Sequence, residues 1–178
     1  MFRFLLIAGI ATTTLVAQNL SRRWVGTVND AETPERIYLS LQQGGVDLFG
    51  TVTYGGEVFL IEHAVINKNK ATFETRDTSD HVAAFEVTLG DDRLLGQVNV
   101  GGRVLPLSLS QLTPDEHVFV LSIEADEHGR VTIITVDHSL GKPIELATRK
   151  LVLCLSRLNF RSAYSDGHHV PIEVILPQ

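Results

Sequence analysis

Seven histidines, one cysteine and three adjacent acid pairs are the residues with which this 178-residue chain could do chemistry. A metal centre needs three or more ligands converging on one point, each held by a partner. His168 and His169 are neighbours, and neighbours on a strand point to opposite faces, so they chelate poorly together. His117, His128 and His138 stand at the start, turn and end of one expected hairpin, which spreads them apart. The acid pairs Asp91-Asp92, Asp115-Glu116 and Asp126-Glu127 all fall in expected turns, where short carboxylates serve local hydrogen bonding. General acid–base work needs two carboxylates across one cleft, and nothing in the spacing puts them there. Cys154 lies on the apolar stripe of an expected helix with no histidine beside it, and reads as a small buried hydrophobe. The serines occur without a Gly-x-Ser-x-Gly elbow, and the Gly-Gly pairs join strands where a phosphate loop would open a helix. The expectation is a protein with no catalytic residue, no metal and no cofactor.

Composition narrows the partners. With 15 Lys+Arg against 21 Asp+Glu, the formal charge is -6, which argues against nucleic acid, since phosphate binding needs a concentrated basic face. A single cysteine excludes an internal disulfide and a Cys-rich zinc site. A hydrophobic share of 44% is that of a globular protein. Residues 1–17 (MFRFLLIAGIATTTLVA) open with Arg3, run apolar from Phe4 to Ile10 and end in Leu15-Val16-Ala17. From Phe4 to Ala17 this is 14 residues, short of the ~20 that cross a hydrocarbon core. A cleaved signal peptide is expected in preference to an uncleaved anchor, and with it an exported, periplasmic protein.

The elements that would position any site are strands. From Trp24 to Ser110 apolar and polar residues alternate with a period near two, broken by Gly44-Gly45, Gly55-Gly56, Asn67–Lys70, Asp77–Asp80, Gly90–Asp92 and Gly101-Gly102. Short strands at that spacing are the signature of an antiparallel barrel or sandwich of about eight strands, and two glycine-bearing hairpins favour an antiparallel β-barrel over residues 18–112. The run Asp47–Val58 is echoed by Arg93–Val104: each has a mid-strand glycine, Gly50 or Gly96, then an alternating run and a Gly-Gly turn. Glycine within a strand lets a sheet bend toward closure. Trp24, Phe59, Phe73 and Phe85 are expected inside the barrel. The opening Trp24-Val25-Gly26 and the two glycine-bearing hairpins resemble small secreted β-barrels of the lipocalin-like type. That resemblance implies Trp24 packing across the barrel floor, and an interior that is either filled or open to a small apolar ligand.

Thr113-Pro114-Asp115 marks a change of pattern. Over residues 113–178 the sequence predicts a hairpin (His117–Ala125 and Val131–Val136), a helix with Ile144, Ala147, Leu151, Cys154, Leu155 and Leu158 on one stripe, and a last strand, Val170–Leu176. The fold class is therefore mainly β: a barrel followed by an α+β domain of β-β-α-β order. In that second unit the run Glu127–Val131, then Val136–Ser139, Gly141 and Pro143, and the tail Phe160–Ala163 and Asp166–Pro171 resemble the C-terminal domain of TonB-type energy transducers. The family's Pro-rich spacer is missing, since the 6 prolines are dispersed. The resemblance implies a periplasmic interaction module of an envelope transport system. An envelope protein would add a strand at the edge formed by Val170, Ile172, Glu173, Val174, Ile175 and Leu176. The alternatives at that strand are a structural role or pairing with a second copy, and the other reading for the protein is a small-molecule carrier using the barrel interior.

Overall fold

The computed structural model describes residues 20–29, 34–45, 47–113, 118–126, 128, 130–138, 164–165, 168–169 and 171–177, and these contain strands and turns but no helix. Nine strands build one antiparallel sheet: β1 Arg22–Asn29, β2 Pro34–Gly44, β3 Asp47–Tyr54, β4 Glu57–Leu60, β5 Glu62–Asn67, β6 Lys70–Arg76, β7 Val82–Leu89, β8 Arg93–Val100 and β9 Arg103–Gln111. Their order is β4-β3-β2-β1-β9-β8-β7-β6-β5. The two edge strands are consecutive in the chain, parted only by Ile61, whose N–H donates to the Gly50 carbonyl at 3.1 Å. The sheet thus curls until its edges meet, a nearly closed barrel of eight staves with β4 and β5 as one bent stave. The bend is a bulge: pairing with β6 slips between Glu62 and Val65, where His63 takes a φ of 49°.

The period-two pattern fixes which side chains go inside. Trp24, Leu39, Val52, Phe73, Phe85, Val87, Leu94, Val98 and Leu109 alternate off neighbouring strands into one buried cluster. Phe73 and Phe85 face each other on β6 and β7 and stack at 4.8 Å with rings 12° apart. The repeated hairpins have a shared geometry. Gly55-Gly56 and Gly101-Gly102 have φ of 60°, 78°, 59° and 84°, the double positive φ of a type I′ turn, which glycine adopts without a Cβ penalty. At Gly50 a Cβ would stand 1.9 Å from the Ser40 carbonyl oxygen, and at Gly96 1.9 Å from that of Glu86. Both glycines let the neighbouring backbone approach where the wall curves.

Downstream, β10 Val118–Ala125, β11 Val131–His138 and β14 Ile172–Pro177 form a three-stranded sheet in the order β11-β10-β14, all antiparallel. Two short strands, β12 Tyr164–Ser165 and β13 His168–His169, pair antiparallel. The helix that would make this unit α+β lies outside the described residues, as do Cys154, His117, Val170 and residues 1–17.

The small sheet lies on the outer wall of the barrel. Arg23, Ser40 and Thr51 are cross-strand neighbours on β1, β2 and β3, a polar row on that wall. Glu173 of β14 lies over it. Its carboxylate takes two hydrogen bonds from the Arg23 guanidinium, both 2.9 Å, and one from the Ser40 hydroxyl at 3.2 Å. Its main-chain carbonyl accepts from the Thr51 hydroxyl at 2.7 Å. Ile175 reaches the next row and packs with Val25, Tyr38, Val118 and Val120. On the other face of β14, Ile172 and Val174 pack with Leu121 and Ile123, against which Val58 and Leu60 of β4 also lie.

Candidate functional site

The cavity of interest is in the barrel, at the end that carries the β3–β4, β6–β7 and β8–β9 turns. It measures about 440 Å³, inside the ~300–1,000 Å³ range usual for small-molecule sites. Its walls repeat. Val52, Tyr54, Glu57 and Phe59 on the β3–β4 hairpin correspond one for one, at the same offsets in the echo, to Val98, Val100, Arg103 and Leu105 on the β8–β9 hairpin, and all eight line the cavity. Two staves part these hairpins on either side, β2 and β1 one way and β7 and β6 the other, so they face each other across the mouth. Between them Val28 and Ile37 make one apolar side wall, and Thr75, Ala83 and Phe85 make the other.

The cavity stops partway down. On each strand only the one or two inward positions nearest the mouth line it. Beneath them the barrel is filled by Phe73, Leu39, Leu41, Val87, Leu94 and Leu109, all buried, and by Trp24, which is 0% exposed. Trp24 carries the Arg22 guanidinium 6.0 Å from its ring centroid, and its Nε1 has no hydrogen-bond partner among the described residues. The interior is therefore neither filled nor hollow: a packed lower part carries an open upper one.

Polar groups gather on the β6–β7 side. Asp77 Oδ1 accepts from the main-chain N–H of Ser79 and of His81, each at 2.8 Å, and Oδ2 lies 2.9 Å from His81 Nδ1. The His81 side-chain bond, then those main-chain bonds, hold the Asp77 carboxyl below its ordinary value. The same arrangement recurs at Asp126, which accepts from the N–H of His128 and of Arg130 and from Arg130 Nε, and whose carboxyl is likewise lowered, with the Arg130 backbone bond first among the causes. Below Asp77, Thr75 is 4% exposed and lines the cavity.

Of the aromatic residues expected inside the barrel, Phe59 and Phe85 line the cavity, while Phe73 and Trp24 lie beneath it. Among the residues expected to bind a partner strand, Ile172, Val174 and Ile175 are buried, Leu176 is half-buried and Glu173 is tied to Arg23. The acids Asp91 and Asp92 are exposed in a bend, and no group of three metal-ligating side chains occurs among the described residues. Sequence reasoning passed over Thr75, Asp77 and His81. The signal was there in part, since an aspartate with histidine four residues on marks a turn that closes on itself. No protein-family model, no curated protein and no solved structure matches this chain.

Proposed function

We propose that the protein is a non-catalytic carrier that binds a small, mainly apolar molecule in the mouth of its barrel. The observation that supports this is the 440 Å³ cavity itself, walled by Val28, Ile37, Val52, Phe59, Phe85 and Val98, with polar groups confined to its rim and one side. Burying apolar surface there gains roughly 25 cal/mol per Å², and the rim groups orient what enters. An environment-sensitive apolar dye tests it. The full chain should bind N-phenyl-1-naphthylamine with a rise in emission, and Ala83→Phe, which fills the cavity from β7, should abolish the rise while leaving the fold intact by circular dichroism. Absence of dye binding, or binding that Ala83→Phe leaves unchanged, sinks the reading.

A second reading rests on the resemblance of residues 113–178 to the TonB C-terminal domain: an exported protein that contacts an envelope partner by strand addition. It is favoured by the place of β14, an edge strand of the three-stranded sheet. It ranks second because the outer edge of that strand already meets the barrel, through the Thr51 bond to the Glu173 carbonyl. A pulldown from envelope extract with the full chain tests it, and retention of nothing above background counts against it.

A further inference from the structure

Resting on the carrier reading, we infer which class of molecule the mouth takes: a compact, ring-sized apolar body bearing one hydroxyl or similar group, which meets the Thr75 hydroxyl, and not a long acyl chain. Depth is the first argument. The lining reaches Val52, Phe59, Phe85, Val98 and Leu105 and goes no deeper. At about 3.3 Å per residue on strands tilted ~40°, two inward positions give a depth of about 10 Å. The stacked pair of Phe73 and Phe85 ends the cavity below on the β6–β7 side, with Val87 and Leu94 packed beneath. A long chain would leave most of its methylenes in water, whereas a short, broad body fills the width between the facing hairpins.

Thr75 supplies the second argument. A hydroxyl on the wall of a mainly apolar cavity offers a guest a hydrogen bond that the side chains around it do not. Thr75 supplies such a hydroxyl from β6, where it lines the cavity beside Ala83, its cross-strand neighbour. The opposite side wall, Val28 and Ile37, is apolar. A guest with one polar group is thereby oriented, its polar side to β6 and its apolar side to β1 and β2. A hydroxyl of threonine both donates and accepts, so an alcohol, a phenol or a carbonyl on the guest can satisfy it.

Calorimetric titration of the full chain with 2-naphthol, naphthalene, octanoate and palmitate tests the inference. The expected result is 2-naphthol bound about tenfold more tightly than naphthalene, with palmitate no tighter than octanoate. Thr75→Val, which keeps the shape, should bring the 2-naphthol to naphthalene ratio near one, and Thr75→Ser should restore it. Affinity that climbs steadily with acyl length overturns the inference, as does a ratio that Thr75→Val leaves unchanged; in either case the carrier reading survives. Failure of every probe to bind overturns both.

Discussion

Arg23 and Glu173, 150 residues apart in the chain, meet through two parallel hydrogen bonds of 2.9 Å on the outer wall of the barrel. Their side chains are 33% and 23% exposed, so the pair is partly shielded from water. Planar guanidinium against planar carboxylate is the strong form of such a contact. It fixes the register of β14 on the polar row made by Arg23, Ser40 and Thr51.

Removing that pair should loosen the small sheet. Glu173→Ala is expected to cost about 1–3 kcal/mol, through lost charge-assisted bonds and an Arg23 left facing an empty site. Arg23→Ala should cost a similar amount, and the double variant less than the two together. Urea melts of the four proteins measure the coupling. A coupling of zero would mean that the pair is decoration and that Ile175 and its neighbours alone hold β14 in place.

The mid-strand glycines should resist substitution in a way that the turn glycines do not. Gly96→Ala places a methyl 1.9 Å from the Glu86 carbonyl oxygen, and Gly50→Ala does the same against Ser40 at a φ of 147°. Each is expected to cost about 3 kcal/mol or more. Gly101→Ala has open space around it and only a φ of 59° to contend with, so about 1 kcal/mol is expected. Thermal melts that rank Gly101→Ala as the worst of the three would refute the close-approach argument.

Acid should reach the β6–β7 loop late. The carboxyl of Asp77 is held below the ordinary aspartate value, because the His81 ring first, and then two main-chain N–H groups, favour its ionised form. With the folded value depressed, the contribution of this group to stability is present above the unfolded value and is lost as pH falls through the folded one. Carbon-detected NMR should place the Asp77 midpoint below that of a free aspartate, and His81→Ala should raise it. An Asp77 midpoint at the ordinary value, unmoved by His81→Ala, would remove this loop as a fixed feature of the mouth.

The lower and upper parts of the barrel should differ in tolerance. Phe73, 1% exposed and stacked on Phe85, is expected to cost about 3–5 kcal/mol on truncation to alanine. Phe59 is half-buried at the cavity wall, and Phe59→Ala is expected to cost about 1–2 kcal/mol while weakening dye binding. Equal destabilisation by the two would mean that the upper wall is packed as tightly as the floor.

Much of the barrel could be read from alternation, because one inward and one outward face leave a period of two in the sequence. Strand β7 lies between the Asp77–Asp80 and Gly90–Asp92 breaks, and the Gly55-Gly56 and Gly101-Gly102 turns fall where their residue types demand. The stretch between the Gly55-Gly56 and Asn67–Lys70 turns shows no break in its pattern yet holds two strands, β4 and β5, since nothing in its residue types marks the bulge at His63. The half-open interior was not legible either. Whether Phe73 and Phe85 fill a barrel or floor a cavity depends on how side chains from distant strands meet, and alternation says only that they point inward. Thr75 shows the same limit, since a threonine in a strand signals nothing until its neighbours are known. The docking of β14 left a trace in Ile172, Val174, Ile175 and Leu176, a run apolar on both faces, which is what a strand covered on both sides requires.

The packed lower part of the barrel has an evolutionary consequence. Trp24, Leu39, Phe73, Val87, Leu94 and Leu109 are satisfied by one another and need no guest to complete them. The ring above them, Val52, Phe59, Val98, Val100 and Leu105, can therefore drift in size and polarity while the layers beneath stay fixed. Because the ring comes from two similar hairpins that face each other, a change in either hairpin reshapes only its own half of the mouth. Selection can retune the occupant one side at a time without founding a new fold.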